Sequence, residues 1–126
     1  MAHTGATISI LDDDDSVRRA LGRLLRSAGL NAETFATAEE FLNSATQPAP
    51  TCLILDLHLP GLSGLDLQAR LKVQGRCVPI VFISGYTDET ARAQALRDGA
   101  VAFLSKPFDE QELLDAVRRA VGPAAC

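Results

Sequence analysis

Short apolar runs alternate with helically spaced apolar positions five times along the chain. Ile8-Ser9-Ile10-Leu11 is rich in β-branched residues and stops at carboxylates, so Thr7 to Leu11 reads as a buried strand. Val17, Ala20, Leu21, Leu24, Leu25 and Ala28 then recur at helical spacing, and Gly29 supplies the stop. A strand near Ala32 to Phe35 leads to a helix around Ala38 to Ala45, and Pro48-Ala49-Pro50 reads as a loop because proline blocks a helix. Cys52 to Asp56 is another apolar strand ending in an acid. Leu59-Pro60-Gly61 signals a turn, and Gly64 to Val73 a helix. Pro79 to Ser84 is a strand ending in a hydroxyl, followed by an alanine-rich helix over Thr87 to Asp98 that Gly99 closes. Val101 to Leu104 is the last strand, running into Ser105-Lys106-Pro107. Asp109 then caps a helix with Leu113, Leu114, Val117, Ala120 and Val121 on one face. Five strand–helix units in tandem predict an α/β domain, a parallel sheet with helices on both faces.

Length makes this one domain over residues 1–126, with a core about 7–121 and looser ends at Met1 to Ala6 and Gly122 to Cys126. The net charge of −4 argues against a nucleic-acid surface, which is normally basic. No apolar run approaches the ~20 residues of a membrane span, and Met1 to Gly5 lacks the regions of a signal peptide. The expected location is cytoplasmic. Cys52, Cys77 and Cys126 form no Cys-x-x-Cys pair and are expected to be reduced, partly buried thiols.

Chemistry gathers at the strand ends. The first strand delivers Asp12 and Asp13, the third Asp56, the fourth Ser84, and the fifth Lys106. In a parallel sheet these ends share one edge, and ligands bind in the crevice beyond it. A lone Asp after a strand is usually a helix cap, which suits Asp14 and Asp15. Four strands ending in acid, acid, hydroxyl and ammonium exceed what capping explains. Neighbouring carboxylates at ~4 Å repel by roughly 4 kcal/mol at an effective dielectric of about 20. A hard divalent cation relieves that repulsion, and Mg²⁺ (or Mn²⁺) fits an all-oxygen set. The aspartate run is not an EF-hand, because Val17 stands where the loop glycine belongs. His3 and His58 lack partners at zinc-ligand spacing. The set fits phosphoryl transfer: Asp56 as nucleophile, Asp12 and Asp13 on the metal, Ser84 and Lys106 on the phosphoryl oxygens.

Ile10-Leu11-Asp12-Asp13, Leu55 to Gly64, Ile83-Ser84-Gly85 and Ser105-Lys106-Pro107-Phe108 together resemble the receiver domain of bacterial two-component response regulators, the CheY-like family. The resemblance spans Ile8 to about Val121. It implies a flavodoxin-like, doubly wound five-stranded parallel sheet of order 2-1-3-4-5 with five helices. It implies that Asp56 takes phosphate from a sensor histidine kinase, that Asp13 binds the metal directly and Asp12 partly through water, and that the His58 backbone carbonyl completes the metal shell. Ser84 falls at the switch hydroxyl, Lys106 at the family lysine, and Phe103 at the aromatic that changes rotamer. Lys106-Pro107 is cis in relatives. The implied output is a changed surface on the fourth helix, fifth strand and fifth helix, read by a partner, by a second copy in a homodimer, or by a DNA-binding output domain outside this chain.

Ala36 to Leu42 and Gly99 to Phe108 resemble the subfamily joined to LuxR-type DNA-binding domains. Ser105 replaces the acid common before Lys-Pro, and Glu89-Thr90-Ala91 stands where that subfamily often has Val-Pro-Met. Tyr86 reads as a surface residue. The rival function is a Mg²⁺-dependent phosphohydrolase with an aspartate nucleophile, though its nucleophile normally follows the first strand and it carries a cap that this chain has no room for. The receiver reading is that of a signalling switch rather than an enzyme, with at most self-phosphorylation from small phosphodonors and slow autodephosphorylation.

Overall fold

The computed structural model describes residues 6–44, 50–85 and 88–122. Strands and helices alternate as β1 (Thr7–Leu11), α1 (Asp15–Ser27), β2 (Asn31–Phe35), α2 (Ala38–Asn43), β3 (Cys52–Asp56), α3 (Gly64–Val73), β4 (Ile80–Ser84), α4 (Glu89–Arg97), β5 (Ala102–Ser105) and α5 (Glu110–Ala120). The strands form one parallel sheet in the order β2-β1-β3-β4-β5, as the resemblance implied.

Period-two alternation divides the core between the two faces of the sheet. Ile8, Ile10, Cys52, Ile54, Val81 and Ile83 pack with Leu21 and Leu25 of α1 and Leu113 and Val117 of α5. Leu11, Leu53, Leu55, Ile80 and Phe82 face the other way, onto Phe41 of α2, Leu67 and Leu71 of α3, and Ala91 and Ala95 of α4. Strands β3 and β4, inside the sheet, are buried along their whole length, so they read as continuous apolar runs rather than alternating ones.

Element boundaries move by a residue or two from the expected ones. Helix α1 begins before its first apolar residue, because the Asp14 side chain accepts from the backbone N–H groups of Ser16 and Val17 and starts the helix there. Ala20 lies on the exposed side of α1, and Leu21 and Leu25 carry the burial. Strand β5 runs one residue further than expected, because Ser105 pairs with Ser84 at the end of β4. Asp88 caps α4 by accepting from the Ala91 N–H. Gly29 and Gly99 end their helices with positive φ, and Lys106-Pro107 is cis. The expectations for Ala45, Pro48, Ala49, Tyr86 and Thr87, and for the loose ends at 1–5 and 123–126, lie outside the described residues.

The cysteines need a correction. Cys52 is a free, buried thiol, and burial pushes it up to about 12. Cys77, expected to be reduced, is in a disulfide. Its apolar neighbours Val78 and Pro79 suggested the start of a buried strand. The strand begins only at Ile80, which leaves Cys77 on an exposed connection open to a second sulfur. Among the described residues no helix is long and apolar enough to cross a membrane.

Candidate functional site

Asp12, Asp13 and Asp56 each bring a carboxylate oxygen within 4.8 Å of the others. The pairing of β1 with β3 forces this meeting. Leu11 stands beside Leu55, so the next residues along the chain, Asp12 and Asp56, come side by side at the carboxyl edge of the sheet. Asp12 and Asp56 are buried, and Asp13 is exposed at the rim.

Lys106 closes the cluster from the end of β5. Its Nζ lies 2.8 Å from Asp12 Oδ2 and 3.5 Å from Asp56 Oδ2. Its backbone N–H donates to the Ser84 carbonyl at 2.7 Å, which fixes the lysine against the end of β4. Ser84 is fully buried, one residue beyond Ile83, the register partner of Asp56. Phe103 is partly buried, with its ring 6.0 Å from that of Phe82. His58 is exposed, and its backbone N–H donates to Asp56 Oδ1 at 3.2 Å.

The electrostatics follow from this crowding. Burial raises Asp56 above the ordinary carboxylate range. The His58 N–H and the Lys106 charge oppose the rise, and the Asp12 and Asp13 charges add to it. Burial by itself would lower Lys106, but its hydrogen bond to Asp12 and the negative charges of Asp56 and Asp12 outweigh burial and raise it. Asp12 Oδ2 is buried, and its partner is the Lys106 Nζ at 2.8 Å. Three carboxylates within 4.8 Å of one another, balanced by one ammonium, leave an excess of negative charge and hard oxygen donors that suits a small divalent cation.

Two contributors were not singled out as functional by sequence reasoning. The Arg18 guanidinium donates to the Asp12 backbone carbonyl at 2.8 Å and pairs with Asp15 at 3.1 Å, so it braces the β1–α1 loop. Its position one turn after four aspartates was the available signal. Gly64 opens α3 so close to β3 that a Cβ there would stand 2.7 Å from the Asp56 carbonyl oxygen and 2.9 Å from the Phe82 ring. A glycine at the first position of a helix, where better helix formers are at hand, marked that close approach.

A parallel five-stranded sheet with acids and a lysine at its carboxyl edge defines a phosphoacceptor switch domain. The comparisons with known proteins agree. Residues 8–118 match the response regulator receiver domain. The chain is 48% identical to the response regulator protein TodT of Pseudomonas putida over 96% of its own length and 53% of TodT. It is 35% identical to the transcriptional regulatory protein FixJ of Azorhizobium caulinodans, over 94% of this chain and 56% of FixJ. The solved structure of the response regulator StyR superposes with a TM-score of 0.86 at 44% identity, covering 92% of this chain and 59% of that one. The chain therefore belongs to the receiver domain family of response regulators, and its function is that of a phosphoacceptor switch in two-component signalling. It spans about half the length of the relatives it matches. Receiver domains are regulatory and bind Mg²⁺ at an acidic pocket, and three aspartates cluster at the strand ends here. The phosphohydrolase alternative is not favoured.

Proposed function

We propose that Asp56 is the phosphoacceptor, that Asp12, Asp13, Asp56 and the His58 backbone carbonyl hold Mg²⁺ or Mn²⁺, and that Ser84 and Lys106 receive the phosphoryl oxygens. The observation that carries this reading is the meeting of three carboxylates within 4.8 Å beside a lysine Nζ 2.8 and 3.5 Å from two of them. Asp56 is the nucleophile because it alone ends the central strand, while Asp12 is committed to Lys106 through Oδ2 and to the Asp14 N–H through Oδ1.

A carboxylate oxygen of Asp56 attacks phosphorus. The P–N bond to a kinase imidazole breaks, the imidazole leaves with its electron pair, and an acyl phosphate remains on Asp56. A cation held by Asp12, Asp13, Asp56 and the His58 carbonyl would supply positive charge to the phosphoryl oxygens and relieve the repulsion among the aspartates. Lys106 supplies the second positive charge, and its raised affinity for protons keeps it charged near neutral pH. Phosphorylation adds about two negative charges to the pocket. Ser84 and Lys106 shift toward them, the start of α4 follows Ser84, and Phe103 turns from its partly buried position into the space released. The shallow anchoring of α4, through Ala91 and Ala95, supports its role as the element that moves.

The donor is a sensor histidine kinase, and the response is read from the α4–β5–α5 surface. Because the relatives run to about twice this length, and FixJ is named a transcriptional regulatory protein, a DNA-binding output domain joined to this receiver is the favoured effector, with homodimer formation on phosphorylation as its trigger. The cytoplasm is where kinase and output would meet. Turnover stays within self-phosphorylation from small donors and slow loss of the acyl phosphate.

Acetyl phosphate labelling tests the assignment. The protein should take up one phosphoryl group in the presence of Mg²⁺ and none with a chelator, and Asp56→Asn should remove the label. Labelling of Asp56→Asn equal to wild type would defeat it.

A further inference from the structure

The loop that follows Asp56 is tied down at both of its ends. At the near end the Leu57 N–H donates to the Ile83 carbonyl at 2.9 Å and the His58 N–H to Asp56 Oδ1. At the far end the Ser63 side chain and Asp66 form a reciprocal cap on α3, and the Gly64 N–H returns to the Leu57 carbonyl at 3.0 Å. Between these anchors the chain passes through exposed Pro60 and Gly61, and Gly61 has a left-handed φ of 73°. A hydrogen bond reaches this stretch from another part of the fold, from Glu39. Its Oε2 accepts from the Leu62 N–H at 3.2 Å, across 23 residues of sequence. The same oxygen lies 2.7 Å from where a Cβ on Gly61 would stand, so the turn lies directly under the carboxylate.

Glu39 is well placed to act as a fixed post. It stands in the first turn of α2, which Thr37 caps and which Ala38 and Phe41 bury against the sheet. Its neighbour Glu40 is occupied elsewhere, accepting from the Ala36 N–H at 2.9 Å.

We infer that Glu39 is a positioning residue for the metal-bearing loop: its carboxylate pins Leu62 and the Gly61 turn, and so holds the His58 carbonyl where the cation needs it. This rests on the functional reading above, in which that carbonyl is a ligand. A hydrogen bond to an ionised acceptor is stronger than a neutral one, and a preset ligand loop spares the cation the cost of ordering it.

The test uses the whole chain as wild type, Glu39→Ala and Glu39→Gln. Hydrogen exchange of the Leu62 amide is read by NMR without metal, and Mg²⁺ affinity by calorimetric titration. Glu39→Ala should exchange Leu62 about tenfold faster, as loss of one charge-assisted hydrogen bond implies. It should also weaken Mg²⁺ several-fold, short of the ~10–100-fold that follows loss of a ligand's own hydrogen-bond partner. The melting temperature should fall by a few degrees at most, as loss of one hydrogen bond from a folded domain implies. Glu39→Gln keeps an oxygen acceptor and should restore most of both effects. Unchanged Leu62 exchange in Glu39→Ala overturns the clamp. Faster exchange with unchanged Mg²⁺ affinity overturns its link to the metal. Failure of wild type itself to bind Mg²⁺ sinks the functional reading and this inference with it, and differs from the other failures in appearing before any substitution.

Discussion

The two faces of the sheet are built from different materials. On the first, α1 and α5 press Leu21, Leu25, Leu113 and Val117 against isoleucines and valines of the strands. On the second, α3 packs Leu67 and Leu71 firmly, but the buried side chains of α4 are the methyl groups of Ala91 and Ala95. Strand β4 therefore sits between a helix set with branched side chains and a helix resting on alanines. The difference teaches where motion is inexpensive. Displacing α5 uncovers large apolar side chains, whereas displacing α4 uncovers two buried methyl groups and breaks the buried hydrogen bond from the Gln68 amide to the Ala95 carbonyl. A switch whose trigger lies at Ser84, directly before α4, finds its mobile part on the second face.

Substitution of Leu113 by Ala probes the first face most severely. It should cost about 2–5 kcal/mol in urea unfolding, the range for a fully buried leucine. Gly64→Ala tests whether the second face is loose throughout or only at α4. The new methyl meets backbone at 2.7 Å, which cannot swing aside, so a loss of about 1–3 kcal/mol is expected. Ala95→Gly should cost only about 1 kcal/mol, mostly helix propensity, and α4 amides should already exchange faster than those of α5 in the wild type. A cost for Ala95→Gly matching that of Leu113→Ala would erase the contrast between the faces.

Asp56 sits at the edge common to both faces, and its raised pKa sets a sign. A carboxyl that holds its proton more tightly when folded stabilises the fold at low pH and loses that contribution as pH rises through its raised value. In chelator at neutral pH, Asp56→Asn should therefore melt at a higher temperature than wild type, and the gain should vanish as pH falls below the carboxylate range. The smallest effect belongs to Cys52. Its thiol is pushed from 9.0 to about 12 by burial in the first face, so its contribution to stability is complete below pH 9.0 and fades as pH climbs toward 12. At pH 8 an alkylating reagent should reach it only as fast as the protein unfolds. Rapid native-state labelling would show that the first face is not closed.

Much of this was legible in the chain. The strands announced themselves because β3 and β4 are covered on both faces and so carry unbroken apolar runs. Helices α1 and α5 were legible through their leucine and valine stripes, and the acids stood out because each follows such a run. Boundaries were less legible. Asp14 started α1 ahead of its apolar residues, and pairing with Ser84 extended β5 by a residue, both through hydrogen bonds that no periodicity displays. Cys77 was misread because local apolarity says nothing about a sulfur brought near by the fold.

Sequence alone settled the kind of domain and the residues eligible for chemistry, since hydrophobic period and strand-end polarity are local properties of the chain. Tertiary structure decided the rest. Strand register brings the side chains of Asp12 and Asp56 together from 44 positions apart in the chain. The closing of β5 beside β4 delivers the Lys106 ammonium between them, and α2 lends Glu39 to a loop it does not adjoin in sequence. Those are distances between remote parts of one chain, and only packing of the whole can fix them.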